Sequence, residues 1–242
     1  MSFTVYHARC EQQLDSLPDN SIAAIITDPP YGVTSNKWDR APNFHELWPQ
    51  LSRICGGVAC IFGVQPFSSH LVSSNPRGYK YELIWDRVNK WTNFLNARRM
   101  PLRRHETILV FDLGGYHYTP QMELRATPFI GRRTQSRKSS NYNSHGGTDL
   151  GRVSTHRYPS SIISIKGANT RKGIHPNEKP VELMRYLVRT HTRPGDTVLD
   201  PFMGRGSTGA ACLLEGRNFI GIEADAHWFK EAEKRLSELE AA

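Results

Sequence analysis

Short runs of β-branched and apolar residues alternate with amphipathic segments, and this alternation restricts the possible fold more than any other feature of the chain. It predicts strands at residues 4–6, 22–27, 58–62, 81–85, 107–111, 197–200 and 219–223. It predicts helices at residues 44–54 and 180–191, another that ends near Leu214, and a last one from about Asp225. Such alternation favours an α/β fold with a mostly parallel sheet and helices on both faces.

A basic, loop-rich segment interrupts the pattern at residues 116–173. It contains ten Lys/Arg and two acidic residues, and the difference of eight equals the formal net charge of the whole chain. Its Ser, Asn, Gly and Thr content favours either a disordered loop or a surface that becomes ordered on a phosphate backbone. We predict a catalytic core of residues 1–115 and 174–242, interrupted by an insert at 116–173.

The cysteine pattern and the apolar segments bear on the cellular compartment. The four cysteines form no C-x-x-C pair and no His/Cys cluster has zinc spacing, so we expect neither a disulfide framework nor a metal site. The first residues lack the pattern of a signal peptide, and no run of about 18 apolar residues occurs. A cytoplasmic protein without membrane contact is predicted.

The tetrapeptide Asp28-Pro29-Pro30-Tyr31 follows the second predicted strand directly. In a parallel sheet, ligand sites lie at the carboxyl ends of strands. The two prolines remove backbone donors, which leaves the Asp28 carboxylate and the Pro29 carbonyl as acceptors beside an aromatic ring. These acceptors suit an exocyclic amine, whose N–H bonds they hold while the nitrogen lone pair is directed at an electrophile. The alternative is a strand-ending turn with a solvated Asp28.

A glycine-rich segment follows the predicted strand at 197–200. Gly204, Gly206 and Gly209 form a G-x-G-x-x-G pattern at the start of a helix, and Glu223 ends the next strand about 20 residues later. This arrangement fits a dinucleotide or S-adenosylmethionine. Asp200 favours the second, because a carboxylate attracts an ammonium and repels a pyrophosphate. The alternative for Asp200 is a helix N-cap.

With both motifs present, the chain resembles the amino-methyltransferase family of DNA methylases, which modify N6 of adenine or N4 of cytosine. The resemblance is to the subgroup in which Asp-Pro-Pro-Tyr precedes the cofactor motif, and it extends from Tyr6 to about Lys234. It implies the Rossmann-like fold of S-adenosylmethionine-dependent methyltransferases. Double-stranded DNA is the implied substrate, and the Asp28 form of the motif favours adenine.

The resemblance also implies roles for individual residues. Asp28, Pro29, Pro30 and Tyr31 would hold a flipped base. The cofactor would be bound by Asp28, His175, Lys179, Asp200, Phe202, Gly204, Gly206, Ser207, Thr208 and Glu223. The family further implies a homodimer and, in restriction–modification systems, a cognate restriction endonuclease as partner. One departure is Ala8-Arg9, which stands where Gly-Asp is usual, and an arginine cannot accept a hydrogen bond from the cofactor adenine.

Basic residues outside the two motifs are candidates for DNA contacts. The predicted phosphate-binding residues are Arg98, Arg99, Arg103, Arg104, Arg132, Arg133, Arg137 and Lys138. Trp91, Phe94 or Tyr118 could stack on bases or pack in the core. Sequence recognition is assigned to the insert at 116–173, which makes it a target-recognition module.

Four other functions are alternatives to methylation of adenine. Methylation of a protein glutamine would be expected to show Asn-Pro-Pro-Tyr and to place the glycine-rich motif first, and this sequence does neither. An N4-cytosine methyltransferase would use the same pocket. A catalytically silent DNA-binding module would keep the fold, but it would leave the intact Asp28, Tyr31, Asp200 and Glu223 unexplained. A nicotinamide-dependent oxidoreductase would use the glycine-rich segment, but not the Asp-Pro-Pro-Tyr motif or the basic insert.

Overall fold

The computed structural model describes residues 1–33, 39–130, 153–168 and 178–241. Its internal contacts divide the chain into two compact units. The larger unit is formed by Met1–Thr119 and Ser161–Ala242, and the smaller unit is Pro120–Ser160. The candidate site lies in the larger unit.

The described residues form ten strands. They are β1 (Phe3–His7), β2 (Ile22–Thr27), β3 (Cys55–Gly63), β4 (Tyr79–Asp86), β5 (His105–Asp112), β6 (Glu123–Ile130), β7 (Val153–Arg157), β8 (Ile162–Ser164), β9 (Thr197–Asp200) and β10 (Asn218–Glu223). Eight of these described strands form one sheet in the order β1-β10-β9-β2-β3-β5-β4-β8. Only β5 runs antiparallel to its neighbours β3 and β4. The predicted mostly parallel sheet is therefore confirmed.

Helices cover both faces of this sheet. They are α1 (Cys10–Gln13), α2 (Phe44–Ile54), α3 (Phe67–Ser74), α4 (Val181–His191), α5 (Ser207–Leu214) and α6 (Ala226–Glu240). Buried residues of α1, α2 and α3 pack on one face, and those of α4, α5 and α6 pack on the other. Within β2, Ala24 and Ile26 face the second group while Ile25 faces the first, as the alternation of side chains along a strand requires.

The amphipathic pattern explains why the larger helices form where they do. In α2 the apolar residues Phe44, Leu47, Trp48, Leu51 and Ile54 recur at helical spacing, and all are buried. Asn43 caps this helix by accepting a hydrogen bond from the His45 backbone amide at 3.2 Å. The same kind of cap begins α6, where the Asp225 carboxylate accepts from the amides of His227 and Trp228.

The smaller unit contains the antiparallel pair β6 and β7. Glu123 pairs with Arg157 across the two strands, with oxygen and nitrogen 2.8 Å apart. The basic insert was expected to be rich in loops, and neither of these two strands was predicted. The strand β8, which lies within residues 116–173, belongs to the large sheet, where it pairs with β4.

One helix was not predicted from the sequence, and the lengths of the helices bear on membrane insertion. The helix α3 was missed because its sequence, Phe-Ser-Ser-His-Leu-Val-Ser-Ser, has few helix-favouring residues. None of the helices in the described ranges is both long enough and apolar enough to cross a membrane.

Candidate active site

Three acidic residues follow or end neighbouring strands at one edge of the sheet. Asp28 comes directly after β2, Asp200 ends β9 and Glu223 ends β10. Because β2, β9 and β10 are adjacent and parallel, their carboxyl ends meet. All three side chains line a cavity of about 940 Å³, together with Tyr31 and Phe202. The structure thus brings the two sequence motifs to a single cavity.

The glycine-rich segment forms the turn from β9 to α5. Gly204 and Gly206 have φ angles of +51° and +72°, in the left-handed region that favours glycine. Gly206 is also the N-cap of α5. At Gly209 a side chain would lie 2.7 Å from the ring of Phe219, so the absence of a Cβ allows α5 to pack closely on β10. Each glycine of the motif therefore has its own structural reason.

The Asp200 carboxylate is buried and accepts three hydrogen bonds. The hydroxyls of Thr27 and Thr208 donate to it at 2.7 Å each, and the Phe202 amide donates at 3.1 Å. Burial raises the pKa of Asp200 to about 6, against the effect of these donors. The N-cap of α5 is Gly206, so the N-cap alternative for Asp200 is wrong. A buried, destabilised carboxylate in a cavity is suited to bind a cationic ligand.

Glu223 is oriented by backbone amides on both of its oxygens. Its Oε2 accepts from the Gly204 amide at 2.9 Å, and its Oε1 accepts from the Asp225 amide at 2.8 Å. Burial raises the pKa of Glu223, and the amide donors offset part of this effect. Each oxygen of a carboxylate has a second lone pair, so Glu223 can still accept from ligand hydroxyls in the cavity.

Two side chains occupy the oxygens of Asp28. The Tyr31 hydroxyl donates to Oδ1, and the Lys179 ammonium donates to Oδ2. Burial raises the pKa of Asp28, while the charge of Lys179 acts in the opposite direction. A ligand N–H group can therefore reach Asp28 either at a remaining lone pair or by replacing one of these donors.

Lys179 belongs to a chain of alternating charges. Its ammonium is 3.2 Å from Glu106 Oε2, and Glu106 Oε1 is 3.2 Å from Arg87 Nη1. Burial lowers the pKa of Lys179, but the carboxylates of Asp28 and Glu106 raise it by more, so the amine keeps its proton. The order Arg87, Glu106, Lys179, Asp28 thus places two cations and two anions in alternation.

The loop after Asp28 is held by a second carboxylate. Asp39 is buried, and it accepts from the backbone amides of Tyr31, Gly32 and Val33 at 2.9, 2.8 and 3.0 Å. Gly32 has a φ angle of +69°, which this tight turn requires. Asp39 therefore fixes the path of the chain immediately after the candidate catalytic motif.

The departure at Arg9 is accompanied by an acid two residues later. Arg9 and Glu11 both line the cavity, and Arg9 Nε lies 3.5 Å from Glu11 Oε2. Glu11 can accept hydrogen bonds, which Arg9 cannot. The cavity therefore keeps an acceptor near the end of β1.

The remaining predicted residues divide into three groups. Ser207 and Thr208 line the cavity, and the Ser207 hydroxyl donates to Glu178 at 3.1 Å. Arg103 also lines the cavity, Arg104 pairs with Asp86 at 2.7 Å, and Arg98 and Arg99 are exposed. His175, Arg132, Arg133, Arg137 and Lys138 lie outside the described residues.

Six acidic residues that line the cavity were not predicted as site residues: Glu11, Asp39, Glu46, Glu106, Glu178 and Asp225. Glu178 directly precedes the candidate Lys179, and Glu106 lies two residues after the candidate Arg104. An isolated acid in a sequence gives no sign that its partner is a buried cation far along the chain. Proximity to Lys179 could have drawn attention to Glu178, but no pattern indicates Glu106.

Comparisons with known proteins identify the family. A family model described as DNA methylase matches residues 22–234. The type II methyltransferase M.HinfI of Haemophilus influenzae is 25% identical over an alignment that covers 98% of this chain and 68% of the relative. The crystal structure of the M1.HpyAVI–SAM complex is 25% identical, covers 97% of this chain and 100% of that chain, and has a TM-score of 0.62.

A third comparison concerns the fold alone. The structure of the PvuII DNA methyltransferase, described as cytosine-N4-specific, is 14% identical. The similarity covers 100% of this chain and 92% of that chain, with a TM-score of 0.63. The same architecture therefore occurs in a protein that modifies cytosine.

The fold and the strand-end cavity define an S-adenosylmethionine-dependent methyltransferase. The match over residues 22–234 makes the assignment more specific, and the chain belongs to the DNA methylase family. It is a DNA methyltransferase. The predicted fold, family and cofactor class are confirmed.

Proposed function

We propose that the chain transfers the methyl group of S-adenosylmethionine to N6 of adenine in double-stranded DNA. The observation that carries this proposal is the position of Asp28, which lines the same cavity as Asp200 and Glu223. The choice of adenine rests on the resemblance of Asp28-Pro29-Pro30-Tyr31 to the adenine form of the motif. N4 of cytosine is the alternative, and the assay below separates the two.

The residues present fit the cofactor. A cavity of about 940 Å³ is at the upper end of the range typical for small-molecule sites, which leaves room for a base beside the cofactor. Asp200 would hold the ammonium of the methionine moiety, and Glu223 would accept from the ribose hydroxyls. Phe202 offers an apolar wall, and Glu11 offers an acceptor for an adenine amino group. When bound, S-adenosylmethionine supplies an electrophilic methyl group on a sulfonium.

The target base would be held by the Asp-Pro-Pro-Tyr motif. The base must leave the duplex, because its amine cannot reach a cavity at a sheet edge from within the stack. Asp28 and the Pro29 carbonyl would accept the two N–H bonds of the amine, with the base stacked on Tyr31. These acceptors favour a nitrogen lone pair directed at the methyl group, where a nitrogen–carbon bond forms as the sulfur–carbon bond breaks. The surplus proton on nitrogen leaves to solvent.

We expect entry of the amine to change the partners of Lys179, whose ammonium donates to one oxygen of Asp28. The amine would take the place of the Lys179 ammonium on Asp28, and Lys179 would remain paired with Glu106, 3.2 Å away. A released ammonium without this partner would be a buried, unpaired charge, which costs several kcal/mol. Glu106 is in this sense the second counter-ion that makes the exchange possible.

The test uses purified protein, unmethylated genomic DNA and labelled S-adenosylmethionine, followed by digestion to nucleosides and mass spectrometry. N6-methyldeoxyadenosine is the expected product. N4-methyldeoxycytidine would overturn the choice of base, and the absence of any methylated nucleoside would overturn the proposed acceptor.

Variants assign the residue that acts on the base. Asp28→Asn, which keeps the shape of the side chain, and Asp28→Ala are expected to lower the transfer rate by at least about 100-fold, because the amine loses its carboxylate acceptor. Cofactor affinity, measured by calorimetry, should change far less. Asp15→Ala, at an exposed aspartate, is the matched control. Full activity of Asp28→Ala would contradict the assignment.

Three further predictions remain for solution experiments. The homodimer can be tested by sedimentation, and a cognate restriction endonuclease by co-purification. Target recognition by residues 116–173 can be tested by exchanging this segment with that of a relative and mapping the methylated sequence. A cytoplasmic location also stays a prediction.

A further inference from the structure

A basic loop with an apolar tip lies beside the candidate active site. The segment 88–104 contains five basic residues and no acidic residue. At its base, the backbones of Thr92 and Arg103 form an isolated antiparallel bridge, with hydrogen bonds of 2.8 and 3.1 Å. We call residues 92–103 the closed loop. Thr92 and Arg103 both line the cavity, so the closed loop begins and ends at the site.

The tip of the closed loop is ordered by its own backbone. Phe94–Asn96 forms a 3₁₀ turn, and the amides of Ala97 and Arg99 donate to the carbonyls of Phe94 and Asn96 at 3.1 and 2.8 Å. The preceding residue, Asn93, has a φ angle of +74°, which reverses the chain. The tip therefore presents its side chains from a defined turn.

The side chains at this tip are large, apolar and exposed. Leu95 has 101% of its reference exposure, Phe94 has 65% and Met100 has 50%. A tip of this kind has no part in the two hydrophobic cores, whose buried residues are elsewhere. Exposed apolar side chains grouped on one loop, flanked by Arg98 and Arg99, suit a partner that offers phosphates and apolar stacked bases together.

The base of the closed loop is tied to the charge chain of the site. The buried Arg87 donates from Nη2 to the Thr92 hydroxyl at 3.1 Å and to the Arg103 carbonyl at 3.0 Å. Through Nη1 it also contacts Glu106, the partner of Lys179. The same guanidinium thus fixes the loop and one end of the row of charges that reaches Asp28.

From these observations we infer that Leu95, at the tip of the closed loop, enters the duplex and fills the space that the flipped target base leaves. This inference rests on the proposed transfer to a flipped base. Flipping costs the stacking and pairing of the target, and an apolar side chain inserted between base pairs recovers part of the lost contact. Arg98 and Arg99 would hold the flanking phosphates, and Phe94 would stack beside the gap.

The experiment compares Leu95→Ala with wild type on two duplexes. Both carry the sequence found methylated in genomic DNA; in one the target base is paired, and in the other it faces an abasic site. Single-turnover methylation on the paired duplex should fall about tenfold in Leu95→Ala, because flipping loses its support. On the abasic duplex, where no pairing has to be broken, the variant should stay within about threefold of wild type.

The control is Leu214→Ala, which shortens another exposed leucine, with 54% of its reference exposure, at the far end of α5. It should leave both rates unchanged. Fluorescence of 2-aminopurine at the target position reports flipping directly, and it should decrease for Leu95→Ala on the paired duplex only.

Several outcomes would overturn the inference. An unchanged rate of Leu95→Ala on the paired duplex means that the tip does not assist flipping. An equal loss on both duplexes points to a general defect, and a change in sedimentation on substitution points to a contact between two copies of the chain. If wild-type protein methylates neither duplex, the proposed function fails instead, so the two failures are distinct.

Discussion

Ionisation of the buried Asp200 carboxylate should lower the free energy of unfolding of the protein without bound cofactor. In the unfolded chain an aspartate ionises near pH 3.8, whereas folded Asp200 keeps its proton up to about pH 6. Between these values only the folded state binds the proton, so the free energy of unfolding falls as the pH rises. A pKa difference of about 2, at about 1.4 kcal/mol for each step of one, corresponds to a loss of about 3 kcal/mol.

Asp200→Asn removes this titration and isolates its effect. The stability of the variant relative to wild type is expected to rise by about 3 kcal/mol between pH 4 and pH 7, with most of the change below pH 6. The amide has to rearrange its hydrogen bonds with Thr27 and Thr208, and this adds a cost that does not depend on pH. The pH-dependent part is therefore the signal.

Urea unfolding of the free protein at several pH values measures both curves. Titrating groups that do not interact with Asp200 cancel in the difference between the two proteins. Asp15→Asn, at an exposed site, serves as the matched control. Calorimetry should show that Asp200→Asn binds S-adenosylmethionine at least about tenfold more weakly, because the amide lacks the charge that an ammonium requires. Stability curves of variant and wild type that run parallel across this pH range would refute the reasoning.

Two other perturbations test the fold and the charge chain. In Gly57→Ala the new Cβ would lie 1.8 Å from the Ala23 carbonyl oxygen, so thermal unfolding should show a loss of about 3 kcal/mol or more. In Gly195→Ala the new Cβ has no atom within 4 Å, so the variant should lose only the about 1–2 kcal/mol that a non-glycine residue costs at φ +86°. Equal losses of stability in the two variants would contradict this account. In Glu106→Gln, Lys179 keeps a single counter-ion and holds Asp28 more firmly, so single-turnover methylation should fall about tenfold while cofactor affinity holds. Glu82→Gln, at an exposed site, is the control, and a loss of cofactor affinity with an unchanged rate would contradict the assigned position of Glu106.

The core of the fold could be predicted because its pattern is local. The strand β2 and the helix α2 were predicted with the bounds that they have, since a buried strand and an amphipathic helix each show their period in the sequence. The order of strands is not local. Nothing between residues 105 and 112 indicates that β5 lies between β3 and β4 and runs antiparallel to both.

The strands of the smaller unit could not be predicted for a different reason. Most side chains of β6 and β7 are exposed, so no apolar alternation marks them. Residues 123–130 pair with residues 153–157, and the segment between them is longer than the two strands together. A local pattern carries no information about such a pair.

The candidate site was predictable where it depends on strand ends. Asp28 directly follows a predicted strand, Asp200 and Glu223 each end one, and parallel strands bring such residues together. Glu106 was missed because its importance comes from Lys179 and Arg87, which meet it only in the folded chain. Motifs indicate the residues that face a ligand better than those that hold them.

The alternation of Arg87, Glu106, Lys179 and Asp28 has a consequence for how this sequence can change over evolutionary time. Two positive and two negative groups in a largely buried row sum to zero, so loss of any one leaves an uncompensated charge away from water. A change at one position is then tolerated only together with a second change of opposite sign. We expect relatives either to keep all four charged residues or to lose them in pairs of opposite charge. The four positions should therefore vary together rather than one at a time.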